Sequence, residues 1–517
     1  MKFIYKSVFV ASMLIAFGCN DDFETTVDEI QITSGDANFS KYVAIGNSLT
    51  SGYADNALYR SGQENSFPAI IAGQMSAAGG GEFLQPLMPE DDMGGFSDLG
   101  LPGKLTLQIV NGAPTPVPSA PGGTFQSTFV QGQFNNMGVP GAKSYHLVAP
   151  GYGNPAGVAQ GLANPYFARF ASSPNTSIMA DVMAQQPTFF TLWIGNNDVL
   201  SFASSGGVGV NQQGNLDPST YGGNDLSDPQ MVGGVLNSVL ENLVVNGGAK
   251  GAIANIPNVT SIPFLTTVPA KPLAPTNASY AAQIPMLNEF YGQLNQVFAA
   301  LGVPERQISF DAAGASGIVF VDDSLPNLSA QMAAVLTQVG VPASQAQLLG
   351  SIFGQARQSK EGDLIPLTMS SKIGTVDTQR VAQLMQMGLS QEMAGQLSVV
   401  GLTYPADAWV LSQDEIAQAT ATTNAINNII AQLASNYQLA LVDMNRNMNT
   451  LQSGIQFNGV DYNASFITGG AFSLDGVHLN ARGYAMISNY FIEAINARYG
   501  STLRQVNANN YPGIQFP

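Results

Sequence analysis

A serine, an aspartate and a histidine in this chain stand where they could carry nucleophilic catalysis. The stretch "YVAIGNSLTSG", beginning at Tyr42, runs an apolar segment into a glycine, an asparagine and Ser48. A serine leaving a buried strand at a glycine-bearing turn holds its hydroxyl at the strand's C-terminal end, where open α/β sheets place their ligands. Ser48 therefore reads either as a nucleophile or as the cap of a following helix. A nucleophilic hydroxyl needs a base, and the chain has 2 histidines, His146 and His478. His478, in "FSLDGVHLNARGY", follows Asp475 by three residues across a glycine-containing turn. A carboxylate at that spacing can hold the Nδ1 proton and leave Nε2 facing a serine. His146, in "GAKSYHLV", has no carboxylate near it in sequence and reads as a packing residue. Negative charge on a substrate oxygen needs preorganised donors, each worth roughly 10²–10³ in rate. Gly141, in the small-residue turn of "NNMGVPGAKS", and Asn197, directly after the apolar run of "TLWIGNNDVL", are suited to supply them. "YGGNDL" repeats the Gly-x-Asn-Asp spelling at Gly222–Asp225, but it follows no strand and reads as a turn.

Four short apolar runs must position these residues: "YVAI" from Tyr42, "TFFTLWI" from Thr188, "GAIANI" from Gly251 and "LALVD" from Leu439. None alternates cleanly, as expected for strands covered on both faces. Helical patterns separate them. "QMVGGVLNSVLENLVVNGGAK" stops at Gly247 and Gly248, "TNAINNIIAQLASNYQ" precedes the Leu439 run, and "NARGYAMISNYFIEAINARYG" opens at the N-cap candidate Asn480. Strands alternating with helices imply an α/β fold with a parallel, helix-covered sheet. Two regions break the rhythm. Gly79 to about Gly161 is rich in glycine and proline and predicts long surface loops with room for a hairpin. Pro326 to Leu397 is helical, with "AAVLTQVGVPASQAQLL" echoed by "AQLMQMGLSQEMAGQL", and predicts two helix-turn-helix units inserted into the sheet domain.

The formal net charge of -17, from 35 acidic against 18 basic residues, excludes a counterion-releasing grip on nucleic acid. At the N-terminus, lysines precede an apolar run from Val8 to Phe17, then Gly18 and the only cysteine, Cys19. That pattern predicts a secretory signal over residues 1–18. "LIAFGC" resembles a bacterial lipoprotein signal, which implies cleavage before Cys19 and its acylation. The acidic "NDDFE" is similar to the surface-export tag of Bacteroidetes lipoproteins. Residues 19–40 then read as an acidic tether and 41–517 as the working domain, anchored at the outer membrane. No later apolar run reaches 18 residues, so the lipid is the one expected membrane contact.

Taken in order, "GNSLTSG", "NMGVPGAKS", "GNND" and "DGVH" resemble the four blocks of the SGNH hydrolases, also called the GDSL esterases and lipases. "QQPTFFTLWIGNND" and "GAIANIPNVTSIP" are similar to that family's connecting phrases. The resemblance implies a flavodoxin-like three-layer α/β/α sandwich over most of the chain from Tyr42 to about Tyr499, with residues 326–397 as an insertion. It implies a triad of Ser48, His478 and Asp475, and an oxyanion hole made by the N–H groups of Ser48 and Gly141 with the Asn197 amide. The family's usual aspartate before the nucleophile is here Asn47, an amide that can keep the turn's hydrogen bonds without the charge. The expected reaction is ester hydrolysis through an acyl-enzyme, with an acyl lipid or an acylated glycan as substrate and no metal or organic cofactor. A carbohydrate O-acetyl esterase, an acyltransferase and a non-catalytic glycan-binding lipoprotein are the alternatives on the same fold.

Overall fold

The structure is a computed structural model describing residues 31–517. The expected signal, Cys19 and the first part of the acidic tether lie outside the described residues. The tether's last part belongs to the fold: Phe39 is buried edge-on against Phe189 at 4.9 Å, and the Asp36 N–H donates to the Tyr499 carbonyl.

Five parallel strands form the central sheet: β1 (Tyr42–Gly46), β2 (Asn136–Gly138), β3 (Phe189–Trp193), β4 (Lys250–Ala254) and β5 (Ala440–Val442). Their order is 2-1-3-4-5, a common doubly wound order whose direction switches beside β1. Every residue of β1 and β3 is buried, which is why neither alternates in sequence. Four of the strands match the four apolar runs. β2 is the addition, only three residues long and inside the region expected to be loop.

Six helices place the rest: α1 (Ser48–Ser51), α2 (Phe67–Ser76), α3 (Asn197–Ser204), α4 (Pro229–Leu240), α5 (Gln413–Asn436) and α6 (Ala481–Tyr499). α2 and α6 pack on each other through the stacked rings of Phe67 and Phe491, 4.7 Å apart, and α6 also lies on β4 and β5. α3 and α4 pack against α5 and form the other covering layer. Asn480 caps α6 as expected, its side chain accepting the Gly483 N–H at 3.0 Å. The Gly79–Gly161 region does hold a hairpin, Leu105–Val110 with Ala113–Pro118, closed by Asn111 and Gly112, both at positive φ.

The inserted region has its own core, and it is wider than residues 326–397. Buried side chains from Val268 to Val410 form a cluster separate from the sheet's core. It includes the helix Ile284–Ala300 and a small antiparallel pair, Val319–Val321 with Ala356–Gln358. The two echoed segments are two helix pairs, Ser329–Gln338 with Ala343–Phe353 and Thr378–Gln386 with Gln391–Gln396. The helix Ile284–Ala300 has an ordinary apolar stripe, and a stripe does not say which of two cores it faces.

Candidate active site

The sheet register brings the chemistry together. Gly46 of β1 pairs with Gly138 of β2 and with Trp193 of β3, so Ser48, Gly141 and Asn197 all leave the same end of three adjacent strands. The crossing is tight: a Cβ on Gly46 would lie 2.1 Å from Thr50 Oγ1 and 2.4 Å from the Trp193 carbonyl. Only glycine fits there. Asn47, not Ser48, caps α1, with its Oδ1 accepting the Leu49 N–H at 3.1 Å. Ser48 is thereby freed from the capping role, and its hydroxyl faces a histidine instead.

Ser48 Oγ lies 2.8 Å from His478 Nε2, and His478 Nδ1 lies 2.9 Å from Asp475 Oδ2. Asp475 Oδ1 also accepts the N–H groups of Val477 and His478, each at 2.8 Å, and the Ser473 hydroxyl at 3.0 Å. Burial by itself would raise the Asp475 carboxyl. The His478 ring and these hydrogen bonds outweigh it and hold the group well below the usual carboxylate range. Asp475 is thus fixed as an anion facing Nδ1, and Nε2 is left to take the serine proton. The Tyr53 ring packs against the imidazole with centroids 4.7 Å apart.

Among the described residues neither the Ser48 nor the Gly141 N–H has a hydrogen-bond partner. Asn197 opens α3 and donates one amide hydrogen to the Ala142 carbonyl at 2.9 Å, which ties it to the Gly141 turn. Asn47 Nδ2 reaches Asn196 Oδ1 at 3.2 Å and ties the β1 turn to the β3 turn. The three expected donors therefore sit on loops bonded to one another.

His146 is elsewhere. Its Nδ1 accepts the Lys143 N–H at 3.0 Å, its ring stacks on Tyr152 at 4.1 Å, and burial, then Lys143, push it down to about 4, so it stays neutral. Gly222–Asp225 is a turn closed by the Gly222 N–H on Asp225 Oδ2. One group of carboxylates that could surround a cation occurs among the described residues, Asp323, Asp407 and Glu415, with oxygens within 4.8 Å of one another. It shares no residue with the Ser48 site.

Sequence reasoning passed over Ser473, Asp55 and Asn56, whose backbone or side chains touch the Asp475 loop. The adjacent Asp-Asn was a turn signal, but nothing local says that the turn meets a loop about 420 residues away. Comparisons of the chain with models of known protein families, with curated proteins and with solved structures found no match.

Proposed function

We propose that this chain is a serine esterase of the SGNH or GDSL type, hydrolysing carboxylic esters through an acyl-enzyme. The observation that carries the reading is the unbroken line Ser48 Oγ, His478 Nε2, His478 Nδ1, Asp475, with no contact longer than 2.9 Å. Ser48 Oγ attacks the ester carbonyl while Nε2 takes its proton; the same proton then goes to the departing alcohol as the carbon–oxygen bond breaks. Asp475 holds the imidazole's orientation and offsets the charge it gains. The free N–H groups of Ser48 and Gly141, with the Asn197 amide, receive the oxyanion. A water activated by His478 then releases the acid and regenerates the serine. No step calls for a metal or organic cofactor. Acylation at Cys19 would tether this activity to the outer membrane.

A small apolar crevice of about 80 Å³, lined by chain neighbours of the triad, supports esters that carry a short acyl chain over simple acetyl esters. Leu49 and Val477, the chain neighbours of Ser48 and His478, line it beside Met444, Met448 and Met486. Methionines adapt to chains of different length. The test is turnover of a chromogenic ester series, acetyl to long acyl, by the chain lacking residues 1–19. Rates rising from acetyl to short acyl chains are expected, with Ser48→Ala falling by about 10⁴-fold or more. Turnover confined to acetyl would replace the acyl substrate with a glycan ester. Silence from folded protein on every ester would favour the binding lipoprotein.

A further inference from the structure

The nucleophile and the acid–base pair are 430 residues apart in sequence, yet their contact requires placement to a fraction of an ångström. The turn after the nucleophile's helix ties their two segments together. Ala54–Ala57 closes on itself through Ala57 N–H to the Ala54 carbonyl at 2.9 Å and the reverse bond at 3.2 Å. Its two central residues, Asp55 and Asn56, have φ of 51° and 61°, the left-handed pair of a type I′ turn. Aspartate and asparagine tolerate that region better than other side-chain residues, but consecutive left-handed non-glycine residues are uncommon and mark a place the surroundings hold fixed.

What holds the turn is the loop of the catalytic acid. The Asp55 N–H donates to Ser473 Oγ at 3.0 Å, Asp55 Oδ1 accepts the Leu474 N–H at 2.9 Å, and the Asn56 N–H donates to Asp475 Oδ2 at 2.9 Å. The Ser473 hydroxyl passes the connection on to Asp475 Oδ1. Asp55 Oδ2 is itself fixed by the Tyr59 hydroxyl at 2.7 Å, and the Asp55 carbonyl accepts the Leu105 N–H at 2.8 Å. The Tyr53 hydroxyl, whose ring lies on His478, donates to the Asn56 carbonyl at 2.6 Å. Asp55 thus has both carboxylate oxygens and both backbone polar groups engaged. Two of those four contacts go to the residues immediately before Asp475.

We infer that Asp55 is a positioning residue: with the Asn56 N–H it braces the Ser473–His478 loop so that Asp475 meets His478 Nδ1 while Nε2 meets Ser48. The inference rests on the esterase reading for its kinetic consequence, though not for its structural one. If the brace works this way, removing it leaves the substrate surface untouched and misaligns the proton relay, so kcat falls and KM holds.

Asp55→Ala and Asp55→Asn, with Ser473→Ala as the third variant, would be compared with the parent chain in ester turnover and in ¹⁵N-histidine NMR. With 2 histidines in the chain, the Nδ1–H shared with Asp475 can be assigned to His478. Asp55→Ala is expected to lose about 10–100-fold in kcat, with KM within about 2-fold, and to lose or shift that downfield proton. Asp55→Asn keeps an acceptor for the Leu474 N–H and should recover most of both. Ser473→Ala, which keeps the Asp55 carboxylate but removes the acceptor of the Asp55 N–H and the hydroxyl on Asp475 Oδ1, should repeat the shift more weakly and gives the readout if Asp55→Ala fails to fold. An unchanged kcat and an unchanged Nδ1–H resonance in Asp55→Ala, or in Ser473→Ala where that is the variant read, would overturn the inference. A parent chain silent on esters, whose His478 proton still responds to Asp55, would overturn the esterase reading and leave the brace standing.

Discussion

Asn47 uses both ends of its amide, taking the Leu49 N–H on Oδ1 and reaching Asn196 Oδ1 with Nδ2. That choice leaves the buried Asn196 Nδ2 with no partner among the described residues. A carboxylate at position 47 would accept the Leu49 N–H equally well and, after the Asn196 amide turns over, its Nδ2 as well. Asn47→Asp is accordingly expected to unfold in urea at a midpoint no lower than the parent's at pH 7, and to lose that parity as the carboxylate protonates at acid pH. Asn47→Ala strips the cap and orphans Asn196 altogether, at a cost of about 1–3 kcal/mol. An unmoved urea midpoint for Asn47→Ala would show that the amide pair holds nothing. The residues legible in sequence were those whose partners are local or whose setting is a strand end: Asp475 three before His478, and Asn197 after an apolar run. Asp55, whose partner is Leu474, was not legible, because the contact exists only once the fold closes.

At the joint between the two cores, three elements bring carboxyls together: Asp323 just after the strand Val319–Val321, Asp407 in the turn Asp407–Trp409, and Glu415 in the first turn of α5. The Gly206–Gly207 loop presses on them; a Cβ on Gly207 would lie 2.0 Å from Glu415 Oε1. Burial first, then Asp323 and Asp322, pushes Asp407 up to about 7. Glu415 is also pushed up to about 7, by burial first, against hydrogen bonds from Ser412 and with Asp407 and Asp323 adding to the rise. A carboxyl raised in the fold keeps its proton after the unfolded chain has lost its own. Stability therefore falls as pH rises from about 4 to 7, and the full cost persists above that window. Glu415→Gln keeps the capping box with Ser412 while removing one charge, so it should flatten that slope and raise the Tm at pH 8 by about 1–3 °C. A parallel slope in parent and variant would mean that the cluster is solvated. Element by element, the sheet's long buried strands were readable from their composition, whereas β2 has three residues and no pattern to show. The extent of the insertion was hidden for a similar reason, since helix periodicity reports a stripe and not its partner.

The two cores meet at the candidate site. Leu367, carried on the inserted core, stands 3.3 Å from where a Cβ on Gly476 would lie, and the Phe264 N–H donates to the Gly476 carbonyl at 2.9 Å. Gly476, at φ +70°, separates Asp475 from Val477 and His478, so the 473–478 loop is bonded to the sheet domain through Asp55 and faces Leu367 of the inserted core. Loosening the inserted core should then disturb the site from a distance. Phe353 is fully buried in that core, and Phe353→Ala should destabilise it by about 3–5 kcal/mol. If the cores open separately, hydrogen exchange will rise over residues 268–410 and over the loop 473–478, while β1 and β3 stay protected. Ester turnover would fall with the loop's protection and ahead of any loss of the central sheet. Equal loss of protection in β1 and β3 would mean instead that both cores melt as one unit, and that the insertion acts on Asp475 only through global stability. The choice between these outcomes turns on how firmly Leu367 of the inserted core packs over Gly476, because packed interfaces transmit strain only where atoms touch.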